Sequence, residues 1–245
     1  MKLFLTSSPD GDLGSDNGGS PWGFDNRNGF ADRLRESLPR EVFFVFFAAD
    51  PDNYEITDEG AEYFAGVLER TGFTVRGYAV CDGRNPGAAG ELLKMADVIM
   101  LSGGHVPTQN RFFAQIGLRE LIADYDGVVI GVSAGTMNCA DIVYAQPEEP
   151  GEATDPNYRR FIPGLGLTDI NVLPHYQLIG NSILDGMKLF EDITAADSYG
   201  RCFYVLRDGS YIMAENNKST LFGEAWTMSN GEFRKICEYG GEYII

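Results

Sequence analysis

Residues 128–140 read VVIGVSAGTMNCA. An apolar run climbs into Gly131-Val132-Ser133-Ala134-Gly135 and continues into small, helix-tolerant residues. Gly-x-Ser-x-Gly between a buried strand and a helix is the pattern of a nucleophile elbow. Such a turn holds the serine in a strained backbone conformation, and its glycines let strand and helix approach closely. The helix N-terminus adds backbone N–H groups and a positive dipole end where an oxyanion would develop. The plainer reading is a serine that caps a helix after a buried strand. Both readings predict strand, tight turn and helix here, which is the repeating unit of an α/β fold.

The flanking sequence repeats that unit. Strand-like apolar runs cover Lys2 to Thr6, Val42 to Ala48, Thr74 to Tyr78, Val98 to Leu101, Gly127 to Val132 and Asp169 to Leu173. Helical patterns alternate with them, predicting a mostly parallel sheet with helices on both faces. EVFFVFFAA (41–49) is apolar without alternation, as a central strand covered on both sides should be. In TDEGAEYFAGVLERTG (57–72), Ala61, Phe64, Ala65 and Leu68 recur at helical spacing, with Thr57 as N-cap and Gly72 as stop. PTQNRFFAQIGLRELIADYDG (107–127) predicts a second helix with Pro107 in its first turn. Residues 10–29, rich in Gly, Asn and Asp, predict a long loop. Beyond Phe203 the pattern turns to short strands, with hairpin signals at Asp208-Gly209 and Asn230-Gly231. The expectation is one α/β domain over residues 1–245 that ends in an antiparallel extension.

Composition narrows the function classes. The 245 residues hold 19 basic and 36 acidic side chains, a formal net charge of −17. Such a surface repels phosphate backbones and anionic lipid, so neither nucleic acid nor membrane is the expected partner. No apolar run approaches ~20 residues, and MKLFLTSSPDGD reads as a first strand rather than a signal-peptide core. Cys81, Cys139, Cys202 and Cys237 form no CxxC pair. Free thiols in a cytoplasmic protein are the expectation, with Cys139 a packing residue on the elbow helix.

A nucleophilic serine needs a base, and the chain has only two histidines, His105 and His175. His175 follows the apolar run INVLP (170–174), where a parallel sheet would present it at the same carboxyl edge as Ser133. His105 follows LSGG (101–104), also at a strand end, and is the competing base or a substrate contact. Gly103 and Gly104 could turn backbone N–H groups toward a substrate oxygen, together with that of Ala134. Acids able to orient the imidazole between serine and histidine are Asp141, Glu148, Glu149, Glu152, Asp155 and Asp169. Asp141 would point away from the cleft, whereas Glu148 and Glu149 lie in a loop that could return to it. Two histidines in unrelated contexts and no HExxH give no zinc pattern, so no metal or cofactor is expected.

Three segments in order, IMLSGGHVPTQNRFF (99–113), GVVIGVSAGTMNCA (127–140) and GLGLTDINVLPHYQ (164–177), resemble the serine peptidases that include peptidase E (aspartyl dipeptidase) and cyanophycinase. The resemblance spans roughly residues 98 to 178. It implies a fold similar to class I glutamine amidotransferases, with serine in place of the amidotransferase cysteine. It further implies Ser133 as nucleophile, His175 as general base, and Gly104 and Ala134 as oxyanion-hole donors. The family's acid falls about fifteen residues past the serine, on Glu148, with Glu149 one loop residue away. Two departures lie near the substrate region. Leu173-Pro174-His175 stands where peptidase E commonly has Asp-Pro-His, and His105-Val106-Pro107-Thr108 stands where the family more often shows Asn-Thr.

The function expected is therefore a metal-independent serine peptidase hydrolysing short peptides, dipeptidase-like and of aspartyl type on the resemblance, through a Ser133-His175-Glu148 triad and an acyl-enzyme. Arg111, Arg159, Arg160 and Arg201 are the candidates to hold a substrate carboxylate. The alternative is a non-catalytic or regulatory ligand-binding protein with the same fold. An amidotransferase would need cysteine at the elbow. A dinucleotide enzyme would need Gly-x-Gly-x-x-Gly after the first strand, where TSSPDGDLGS (6–15) has the wrong spacing. Oligomeric state, a homodimer included, is open from sequence.

Overall fold

A computed structural model describes residues 1–10 and 23–245. The loop expected over residues 10–29 falls, at 11–22, outside the described residues. The first half of the chain runs β1 (Lys2–Thr6), α1 (Phe30–Ser37), β2 (Glu41–Phe47), α2 (Tyr54–Arg70) and β3 (Thr74–Cys81). It continues with α3 (Ala89–Met95), β4 (Val98–Leu101), α4 (Val106–Gln115), α5 (Leu118–Ile122), β5 (Val128–Val132) and α6 (Ala134–Asn138). Strands β6 (Ile142–Tyr144) and β7 (Phe161–Pro163) form a small antiparallel pair, followed by β8 (Asn171–Leu173) and α7 (Tyr176–Ile179). After the two-residue strands β9 (Ile183–Leu184) and β10 (Met187–Lys188) and the helical stretch ending in α8 (Ala195–Asp197), six strands complete the chain. These are β11 (Cys202–Leu206), β12 (Tyr211–Glu215), β13 (Lys218–Phe222), β14 (Ala225–Ser229), β15 (Glu232–Cys237) and β16 (Glu242–Ile244).

The main sheet has the order β16-β13-β12-β1-β5-β4-β2-β3. Its β1, β5, β4, β2 and β3 are mutually parallel, and β12, β13 and β16 extend it antiparallel. The two faces follow the period-2 rule of strands. Leu3, Leu5, Val45, Phe47, Ile99 and Leu101 pack on one side. Phe4, Phe44, Phe46, Val98, Met100 and Ile130 pack on the other. With both faces covered, alternation in hydrophobicity disappears from β2, β4 and β5, as their sequences imply.

Three expectations are corrected. First, the run ending at Leu173 is not a strand of the main sheet. It pairs in parallel with β11 in a second, four-stranded sheet, β15-β14-β11-β8. In the main sheet β1 lies between β5 and β12, and β8 makes no pairing there. Second, the helix expected after Pro107 is two helices, because Gly117 adopts φ 63° between α4 and α5. Pro107 does sit in the first turn of α4. Third, α2 is capped by Asn53, whose side chain accepts from Ile56 N–H, and Thr57 instead returns its hydroxyl to the Asn53 carbonyl.

Of the two hairpin signals, Asn230-Gly231 forms one, joining β14 and β15 with φ 50° and 78°. Asp208-Gly209 does not. It links β11 of the second sheet to β12 of the main sheet, and so lies on the seam between them.

Candidate active site

The elbow forms because of two close approaches. A Cβ on Gly131 would lie 2.7 Å from Thr136 Cα, and one on Gly135 would lie 2.0 Å from the Leu101 carbonyl oxygen. Only glycine lets α6 seat against β4 and β5 this tightly. Between them Ser133 takes φ 51°, ψ −112°, a conformation L-residues rarely adopt. Its backbone N–H donates to the Thr6 and Ser7 carbonyls, and the Thr136 hydroxyl donates to the Thr6 carbonyl. These bonds tie the strained turn to the end of β1. The helix behind the serine is only five residues long, so its dipole is small. What it supplies is the Ala134 N–H, which, like that of Gly104, donates no hydrogen bond among the described residues. Gly103 packs against Ser133, an ideal Cβ there lying 3.3 Å from that of the serine. The glycine pair therefore runs beside Ser133.

Ser133, His175 and Gly104 line one cavity of about 270 Å³. His175 begins α7 with φ 59° and approaches from the second sheet. Its Nε2 has no hydrogen-bond partner among the described residues, while its Nδ1 lies 2.7 Å from Asp208 Oδ1. Asp208 also accepts from the Ser7 hydroxyl at 2.6 Å and from Gln177 Nε2 at 2.5 Å. Ser7 in turn accepts from the His175 backbone N–H at 2.8 Å. The Asp208 side chain is 9% exposed. Burial pushes its carboxyl up, but the hydrogen bonds and charge of His175, with Ser7 and Gln177, outweigh this and hold it below the usual carboxylate range.

Glu148, expected to orient the base, makes no hydrogen bond to His175. It lines the same cavity and accepts from the Val106 N–H at 3.2 Å. Desolvation pushes its carboxyl up, against the opposing effect of that N–H. Glu149 and Asp141 do not reach His175 either, and Asp141 pairs with Arg119. The acid beside the imidazole comes instead from 33 residues beyond it in the chain. No motif marked it: Asp208-Gly209 carries a turn signature, and the turn happens to lie where two sheets meet.

His105 has both ring nitrogens engaged. Nδ1 lies 2.8 Å from the Thr108 hydroxyl and Nε2 lies 2.8 Å from Glu152 Oε1. Glu152 also accepts the N–H groups of Glu148 and Glu149. Burial opposes its ionisation, but these two donors and His105 hold its carboxyl low. Ligand atoms of His105, Glu149 and Glu152 lie within 4.8 Å of one another. Hydrogen bonds within the loop already account for His105 and Glu152. Cys139 is fully buried and donates to the Gly135 carbonyl, and burial pushes its thiol up, which fits packing rather than chemistry. All four cysteines are free. No helix among the described residues is long and apolar enough to cross a membrane.

The model of peptidase family S51 matches residues 13–222. No curated protein matches the sequence significantly. Among solved structures, the fold is similar to that of a peptidase from an acI-B1 Actinobacterium (TM-score 0.65, 16% identity, covering 100% of this chain and 96% of the other). It is also similar to a candidate peptidase E from Listeria monocytogenes EGD-e (TM-score 0.58, 18% identity, covering 96% and 98%). At these identities the likeness is one of fold, and the match over most of the sequence carries the assignment: the chain belongs to peptidase family S51, a family of serine-type peptidases.

Proposed function

We propose that the protein hydrolyses short peptides through Ser133, His175 and Asp208. Ser133 Oγ attacks the scissile carbonyl carbon while His175 Nε2 takes its proton. The tetrahedral oxyanion is held by the N–H groups of Gly104 and Ala134. Collapse breaks the C–N bond, His175 gives its proton to the leaving amine, and an ester remains on Ser133. Water, deprotonated by the same imidazole, releases the acid product. Asp208 keeps the proton on Nδ1, so that Nε2 faces the serine as an acceptor, and stabilises the imidazolium.

The observation that carries this reading is the buried Asp208–His175 pair beside a cavity shared with Ser133. Ser133 and His175 make no hydrogen bond here, which is common before substrate tightens a site. The small cavity favours short substrates. Aspartyl specificity has no support from the described lining, which contains no Lys or Arg. Arg160 pairs with Asp197 and Arg201 lies over the Phe161 ring. Arg111 and Arg159 likewise lie outside the cavity lining.

The test is active-site labelling with a fluorophosphonate. Wild type should label once, at Ser133, and Ser133→Ala should not label. A folded wild type that stays unlabelled, or a Ser133→Ala protein that labels equally, would overturn the proposal.

A further inference from the structure

Glu148 is left without a catalytic task, yet it stands in the wall of the cavity that holds the nucleophile. It is fixed there: its Oε1 accepts from Val106 N–H, and its own backbone N–H is held by Glu152. Val106 is two residues beyond Gly104, so the N–H that anchors the carboxylate, 3.2 Å from it, lies at most ~7 Å along the chain from the Gly104 N–H. No Lys or Arg among the described lining residues answers it, and Glu149 and Glu152 add negative charge to the same loop. The same lining holds apolar side chains, Met137, Ile179, Leu184 and Leu189, together with the exposed Ile183. A carboxylate in such a cavity is best satisfied by a cation from the ligand.

We infer that Glu148 binds the α-ammonium of the substrate, and that the protein removes an uncharged, apolar residue from the free N-terminus of a peptide. This rests on the proposed Ser133 chemistry and adds to it the substrate class. The position of the carboxylate distinguishes the α-ammonium from a lysine or arginine side chain. An α-ammonium lies two bonds from the scissile carbonyl carbon, so it must be met close to the oxyanion donors, where Glu148 is anchored. A basic side chain would carry its charge several bonds farther from the scissile carbon, in a lining that otherwise offers apolar side chains such as Met137 and Leu189. A cavity of about 270 Å³ has room for roughly one residue on this side of the nucleophile. An N-terminal aspartate would bring a second carboxylate toward Glu148 with no cation to receive it.

The experiment measures hydrolysis of Leu-Leu, Met-Leu, Asp-Leu, Lys-Leu and N-acetyl-Leu-Leu by wild type and Glu148→Gln, with fluorophosphonate labelling of the same samples. For wild type, Leu-Leu and Met-Leu should exceed Asp-Leu and Lys-Leu by at least ~10-fold in kcat/KM, and N-acetylation should cost at least ~100-fold. Glu148→Gln keeps an acceptor for Val106 N–H, and its melting temperature reports whether it folds. In it, the preference for the free amine over the acetylated peptide should collapse to less than ~10-fold, chiefly through KM. Preference for Asp-Leu or Lys-Leu, equal cleavage of the acetylated peptide, an unchanged preference in Glu148→Gln, or labelling without cleavage of any of these peptides overturns this inference alone. Failure to label at Ser133 overturns the proposed chemistry, and the inference with it.

Discussion

Replacing Asp208 by asparagine removes one negative charge from the site with almost no change in shape. The carboxylate accepts three hydrogen bonds, from His175 Nδ1, Ser7 Oγ and Gln177 Nε2, at 2.5–2.7 Å. An amide in its place must turn an N–H₂ toward one of these donors. If it faces His175, the imidazole is driven to the other tautomer and Nε2 can no longer accept the serine proton. Losing one charge-assisted bond to the imidazolium costs about 1.5–3 kcal/mol, or roughly 10- to 150-fold in rate. The wrong tautomer extends the loss toward ~10⁴-fold. The expected result is a fall in kcat of ~10²–10⁴ with KM within about threefold. Steady-state hydrolysis and the rate of fluorophosphonate labelling both report it. A second signature is in stability. The Asp208 carboxyl is depressed in the folded protein, so its contribution is present above the unfolded carboxylate value and lost as pH falls through the folded one. The gap in melting temperature between wild type and Asp208→Asn should therefore close below about pH 4. If Asp208→Asn keeps kcat within about threefold while Glu148→Gln loses ~10³ in kcat at unchanged KM, the orienting acid is Glu148 and the reasoning fails.

Three further outcomes are expected. His175→Ala should lose at least ~10³-fold in activity and His105→Ala less than ~10-fold, because both His105 nitrogens are already engaged; the reverse order would make His105 the base. Glu148 is raised by burial, so the folded state holds its proton more tightly and stability falls as pH rises above the unfolded value. Glu148→Gln should thus melt higher than wild type near pH 8 and equally near pH 4, and an increment independent of pH would contradict the buried-charge account. Gly135→Ala places a methyl against the Leu101 carbonyl and should cost about 1–3 kcal/mol or more in chemical denaturation. A cost below about 0.5 kcal/mol would mean that the elbow tolerates a side chain.

The main sheet was legible because its strands are buried on both faces, which leaves unbroken apolar runs such as FFVFF at 43–47 and VIML at 98–101. The elbow was legible because its glycines answer two steric contacts that a local motif encodes. The route of the chain after residue 140 was not. The three-residue β8 looks the same in sequence whichever sheet receives it, and its parallel pairing with β11 is a contact between segments about 30 residues apart that no local pattern encodes. Asp208 was hidden for a related reason. Asp-Gly is favoured in a turn by local backbone chemistry, so its use as a hydrogen-bond acceptor across the seam leaves no additional mark. Glu148 was chosen from the family resemblance by its position along the chain; it lines the cavity shared by Ser133 and His175, where its carboxylate meets Val106 N–H rather than the imidazole.

Ser7 donates to Asp208, accepts from His175 N–H, and offers its carbonyl, with that of Thr6, to Ser133 N–H. Ser133, His175 and Asp208 are separated by up to 75 residues of chain, yet one small residue at the end of the first strand touches all three segments, two through its hydroxyl and one through its backbone carbonyl. On the proposed mechanism, proficiency is a measure of how faithfully the earliest strand registers parts that come from two sheets. A change at residues 6–8 would alter turnover without touching substrate, and it would look like a catalytic lesion at a position with no catalytic chemistry of its own.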